Sequence, residues 1–197
     1  MIQIFNKSLP FAAKTAIISN GKSFSYDELH KASADFASLL LEETGDLVEG
    51  RVAFMVNPGF DYVRVQWGIW LAGGIVVPLC LSYPLPSLRY TIENSGASVI
   101  VVSPEFEETL KDLADKLNCR LIVLGKNDQA KNLKALPEIE DARGAMILYT
   151  SGTTNLPKGV VPITTLTLGW PNEKPIQVDR LPLEAILHHE TYKDYTE

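Results

Sequence analysis

The residues from Thr150 to Lys158 are poor core material and good material for holding an anion. Thr150, Ser151, Thr153 and Thr154 bring four hydroxyl donors, and Lys158 brings a mobile positive charge. Gly152 lets backbone N–H groups approach oxygens closely. An apolar run, Ala145 to Tyr149, leads directly into the segment, and Gly159-Val160-Val161 follows it. Ligands of α/β sheets bind beyond the carboxyl ends of strands, so strand, polar loop and lysine in this order point to a polyphosphate. An isolated Ser-Gly-Thr would read as an ordinary turn. The whole run with Leu156-Pro157-Lys158-Gly159 attached does not. Nor is it a Walker A loop, which needs Gly-Lys followed by Ser or Thr; here Pro157 precedes Lys158 and Gly159 follows it, which disfavours a P-loop phosphotransferase.

Other residues that could do chemistry offer less. His188-His189-Glu190 invites a metal, but neighbours on a helix point about 100° apart and no HExxH spacing exists, so an exposed polar face is expected. His30 falls in the polar part of a helix without a partner nearby in sequence, and a surface position is expected. Cys80 and Cys119 sit in or beside apolar runs at no zinc spacing. They are expected to be reduced, buried thiols of a cytoplasmic protein. No residue reads as a nucleophile or general base, and no metal site is expected.

The loop needs elements to hold it. Thr15 to Ser19 and Lys22 to Ser25 read as strands joined at Asn20-Gly21, a hairpin turn in which both residues tolerate positive φ. Ser25-Tyr26-Asp27-Glu28 has the capping-box form. Leu29, Ala32, Phe36, Leu39 and Leu40 then share one helical face, with Gly45 as the expected end. Short apolar runs follow at 51–56, 74–79, 98–102 and 120–124, alternating with helical patterns at 60–72, 86–95 and 104–118. Continuous apolar runs suit strands buried on both faces. The expected fold is a doubly wound, mostly parallel α/β sheet with flanking helices. Residues 126–143 read as a surface connection, and Ala145 to Tyr149 as the next buried strand.

The 197 residues carry 18 Lys and Arg against 24 Asp and Glu, a net charge of −6. That balance disfavours a nucleic-acid partner. Met1-Ile-Gln-Ile-Phe-Asn-Lys7 lacks the pattern of a targeting segment. The longest apolar region, near Trp67 to Leu81, is interrupted by Gly73, Gly74 and Pro78, so no membrane span is expected.

Tyr149 to Val161 closely resembles the signature loop of the adenylate-forming superfamily, which includes acyl-CoA synthetases, luciferases and nonribosomal-peptide adenylation domains. The resemblance extends upstream to about Lys7. Gly21-Lys-Ser-Phe-Ser-Tyr-Asp-Glu-Leu29 is similar to an early family segment, as are Leu71 to Gly74, Val77 to Leu79, and Leu88 with Tyr90 to Ser95. Ser82-Tyr83-Pro84 most resembles malonyl-CoA synthetases and related small-acid acyl-CoA ligases.

The resemblance implies ATP and Mg²⁺ as cofactors, a small or fatty carboxylic acid as substrate, and coenzyme A as co-substrate of full-length relatives. Thr150, Ser151, Gly152, Thr153, Thr154 and Lys158 would hold the β- and γ-phosphates. Asn155 stands where the family has Gly; it is the least costly alternative if φ is positive there. The likeness stops near Val161, where Pro162 removes a backbone donor. Residues 1–161 are therefore expected to form the N-terminal part of an AMP-binding domain, and 162–197 a divergent tail with a short helix from Leu183. The later family motifs are missing. The expectation is a truncated N-terminal region of an acid–CoA ligase without full activity, the alternative being a non-catalytic nucleotide-binding or interaction remnant. Unpaired sheet edges predict self-association.

Overall fold

Local chemistry fixes the entry to the fold. The computed structural model describes residues 2–140, 142–150 and 158–160. It opens with a helix the sequence pattern does not mark, α1 (Gln3–Ser8). Strands β1 (Thr15–Ser19) and β2 (Lys22–Ser25) then pair antiparallel, Ser19 opposite Lys22. Asn20 and Gly21 both take positive φ, 51° and 75°, as the turn requires. The Ser25 hydroxyl accepts from the Glu28 N–H at 3.2 Å, and Glu28 Oε2 accepts from the Ser25 N–H at 2.7 Å. This capping box starts α2 (Tyr26–Leu40).

Helix α2 stops well before Gly45. Leu39, Leu40 and Leu41 are all buried. Three consecutive residues cannot share one helical stripe at 100° per residue. Leaving the helix at Leu41 puts all three leucines into the same core.

The chain then runs through β3 (Arg51–Met55), α3 (Phe60–Leu71), β4 (Ile75–Pro78), α4 (Leu85–Ser95), β5 (Val99–Val102), a 3₁₀ turn at Pro104–Phe106, α5 (Glu107–Lys116) and β6 (Arg120–Val123). These four strands pair in parallel, in the spatial order β4-β3-β5-β6. The expected parallel sheet with flanking helices is therefore present. Alternate residues enter two cores. Val52, Phe54, Val76, Val101 and Ile122 pack with α2 and α3. Ala53, Met55, Val77, Ile100, Val102 and Val123 pack with α4 and α5. Helices α2 and α3 meet at Gly68, where an added Cβ would lie 2.9 Å from the Ser33 carbonyl oxygen and 2.9 Å from Phe36 Cδ1.

Three expectations are corrected. His30 is buried, not at the surface: Nε2 lies 2.8 Å from Ser8 Oγ, and the ring stacks on Trp67 and packs against Phe5. The unmarked α1 covers this side of α2. Cys80 is exposed and Cys119 half-buried, so neither is the fully buried thiol expected. After β4 the chain turns back on itself, with the Tyr83 N–H bonded to the Cys80 carbonyl, and Cys80 faces outward. The run Ala145 to Tyr149 is not a fully buried strand. Met146 bridges Val76 in parallel, and the regular strand, β7, covers Leu148–Thr150 with exposed residues on either side of Tyr149.

The far margin of the sheet is closed by a side chain. Asn127 Oδ1 accepts from the Val123 N–H at 2.6 Å, and Asn127 Nδ2 donates to the Leu121 carbonyl at 3.1 Å. Nearby, Asp128 is buried against Arg64 at 2.5 Å, so the 126–143 connection is tied to α3. No helix among the described residues is long and apolar enough to cross a membrane. All described residues lie in one compact unit, Met1–Ile163.

Candidate functional site

The signature segment is held between two short strands. Strand β7 pairs antiparallel with β8 (Lys158–Val160). Thr150 stands opposite Lys158, Tyr149 opposite Gly159, and Leu148 opposite Val160. Two of the six expected phosphate-holding residues are thus direct register partners. The other four, Ser151, Gly152, Thr153 and Thr154, lie outside the described residues, as do Asn155 and the His188-His189 pair.

The root of this hairpin extends the parallel sheet. The Val76 N–H donates to the Ala145 carbonyl at 3.1 Å, and the Ile147 N–H donates back to the Val76 carbonyl at 2.9 Å. Trp70 Nε1 adds a second donor to Ala145 at 2.7 Å. With Val76 level with Met146, the last residue of β4, Pro78, stands level with Leu148. Thr150 therefore projects past the carboxyl end of β4, where ligands of α/β sheets bind.

Tyr149 fixes the hairpin from the other side. Its hydroxyl donates to Asn94 Oδ1 on α4 at 2.7 Å, and its ring packs on the core beneath α4. Burial, and the neighbouring Tyr90, push its hydroxyl pKa up, which keeps it a donor. Gly159 makes room for the ring: a Cβ there would come within 3.1 Å of Tyr149 Cζ. A side chain at the position after the lysine would thus press on the tyrosine before the threonine.

The strand's beginning is gripped by residues the sequence pattern does not single out. Arg143 Nη1 donates to both oxygens of Asp46, at 2.8 and 2.7 Å, and the Gly144 N–H donates to Glu49 Oε1 at 2.6 Å. Burial raises the Asp46 carboxyl pKa, but the Val48 N–H and the Arg143 guanidinium outweigh it and hold the group below its ordinary value. These partners lie 97 and 95 residues apart, and no local spacing could have paired them.

The topological switch point, between the carboxyl ends of β3 and β5, is occupied by protein groups. The Asn57 N–H donates to Ser103 Oγ at 3.2 Å, and its side chain bonds Glu105. Thr150, paired with Lys158, stands instead beyond β4. Between Tyr149 and Val161 there is no carboxylate, so this segment does not fit Mg²⁺ with acidic ligands.

Known proteins resemble this chain in sequence and in fold. The profile of AMP-binding enzymes matches residues 7–166. A mitochondrial malonate–CoA ligase of Mus musculus is 35% identical over 170 residues, covering 81% of this chain and 29% of that protein. A malonate–CoA ligase of Arabidopsis thaliana is 31% identical over 183 residues, covering 80% and 30%. The ATP-bound structure of MatB from Rhodopseudomonas palustris superposes with a TM-score of 0.64 at 24% identity, over 79% of this chain and 33% of that one, a likeness of fold. The chain spans about 30% of the length of the curated malonate–CoA ligases it matches. The mouse protein's mitochondrial address gives no support to a cytoplasmic one here.

Proposed function

The chain belongs to the AMP-binding enzyme family, and from that premise we propose that it is the nucleotide-gripping N-terminal part of an ATP-dependent acid–CoA ligase, with residues 162–197 a divergent tail. In the complete reaction a substrate carboxylate oxygen bonds to the α-phosphorus of ATP. The bond from that phosphorus to the bridging oxygen breaks, and pyrophosphate leaves. A coenzyme A thiol then takes the acyl group and releases AMP. The carboxylate is itself the nucleophile, so positioning and charge neutralisation carry most of the catalysis.

This chain's share of that work is to hold the polyphosphate. Thr150, Ser151, Gly152, Thr153, Thr154 and Lys158 supply donors and charge to the departing pyrophosphate. The observation that carries the reading is the pairing of Thr150 with Lys158 past the carboxyl end of β4. The malonate–CoA ligase relatives favour a small dicarboxylic acid as substrate of the complete enzyme. Mg²⁺, where bound, would neutralise phosphate charge, and its acidic ligands are not supplied by this segment.

The chain alone lacks the later family motifs, and full ligase activity is not expected of it. Two measurements on the purified chain decide this. ATP should raise the melting temperature, and Lys158→Ala should abolish the rise; no rise in the wild type overturns phosphate binding. Malonate-dependent ATP–pyrophosphate exchange should be absent, and its presence would overturn the incomplete site.

A further inference from the structure

Two consecutive residues without a glycine among them, Val48 and Glu49, take left-handed φ values of 47° and 62°. That conformation is unfavourable for any residue with a Cβ and most so for a β-branched one. Val48 recovers little by packing, because the residue is 71% exposed. Such a conformation persists only where the surroundings over-determine it.

The contacts that over-determine it reach two segments. The Leu47 N–H donates to the Ala72 carbonyl at 2.9 Å, and the Glu49 N–H to the Gly73 carbonyl at 2.8 Å. Those bonds fix the loop to the turn between α3 and β4. Asp46 accepts from the Val48 N–H at 2.8 Å and from Arg143, while Glu49 accepts from the Gly144 N–H. The loop therefore holds the start of β4 with its backbone and the start of the hairpin root with its two carboxylates. Relaxing Val48 and Glu49 would turn the carboxylates away from 143–144.

Holding both starts sets the register between them. Ile147 and Tyr149 pack on the α4 side, and Met146 on the opposite core. A one-residue slip along β4 would exchange these faces. Tyr149 would lose Asn94, and Gly159 would no longer lie beneath its ring. We propose that Asp46, Glu49 and Arg143 are positioning residues of the phosphate loop, which set the register in which 145–150 adds to β4. That the positioned loop takes ATP rests on the reading above; the register itself does not.

Amide hydrogen exchange on the 197-residue chain tests the assignment. Glu49→Ala should accelerate exchange of the Ile147 and Val76 amides about tenfold, the worth of one hydrogen bond to a charged group. The Ser103 and Leu124 amides, bonded inside the sheet, should keep their rates. Glu49→Gln retains an acceptor oxygen and should restore protection. Equal acceleration at all four amides, or none at Ile147 and Val76, overturns the proposal. In the same samples ATP should raise the melting temperature less in Glu49→Ala than in the wild type. A wild type unresponsive to ATP sinks the nucleotide reading, and the exchange rates still decide the register.

Discussion

The Tyr149 hydroxyl and Asn94 Oδ1, 2.7 Å apart, join the strand entering the signature segment to the C-terminal end of α4. They make the position of β7 depend on the helix packed under the sheet. Tyr149→Phe removes only the donor and should lower stability by about 0.5–1.5 kcal/mol. Asn94→Ala should cost a similar amount, and the double variant little more than either, because the two act through one bond. Urea unfolding of the four proteins checks this, and simple additivity would refute the coupling.

Gly68 should tolerate no larger residue. The Ser33 carbonyl oxygen that an alanine Cβ would meet is backbone in the middle of α2 and cannot swing aside. Gly68→Ala gains helix propensity but overpacks the α2–α3 crossing, and a net loss of about 1–3 kcal/mol is expected. Thermal unfolding would show it. A stabilised variant would mean that the two helices can separate at no cost.

His30 should make stability depend on pH below the ordinary imidazole range. Burial lowers its pKa below 6.5, only partly offset by Asp27. The unfolded chain then binds the proton more readily than the folded one. The contribution is fully present above 6.5, diminishes as pH falls through that value, and is gone below the folded pKa. His30→Gln, which cannot titrate, should flatten the slope of unfolding free energy between pH 7 and 5 relative to the wild type. An unchanged slope would remove His30 as its cause.

The two thiols should differ in reactivity. Cys80 is exposed, and Ser82, through its hydroxyl at 3.3 Å and its backbone, lowers the thiol pKa. Burial raises that of Cys119. The thiolate is the reactive form, so iodoacetamide should label Cys80 first, and Ser82→Ala should slow that labelling. Peptide mass spectrometry reads both rates; labelling of Cys119 first would contradict the exposure and the pKa order together.

What the sequence made legible follows the range of the interactions. The Asn20-Gly21 turn and the Ser25–Glu28 capping box are closed within a few residues, and both appear as expected. The alternation of buried strands and helices is also local, and it implies the parallel sheet. Strand order is not local: nothing in the runs says that β5 crosses to the far side of β3. His30 was misplaced because its surroundings come from Ser8, Phe5 and Trp67, on other elements. Cys80 was misplaced because an apolar run ended in a turn. The family's signature segment was recognisable from residue types alone, whereas Asp46, Glu49 and Arg143 carry ordinary surface side chains and declare themselves only by distance.

The side chain of Asn127 gives the domain a direction of assembly. The four parallel strands end at Val123, and the amide that finishes their outer margin follows four residues later. On a ribosome, the layer and its terminator emerge together before the phosphate segment has been synthesised. Among the described residues, the next strand joins on the β4 flank, where the hairpin arrives last. The signature segment is thus appended to a platform whose four strands are already paired.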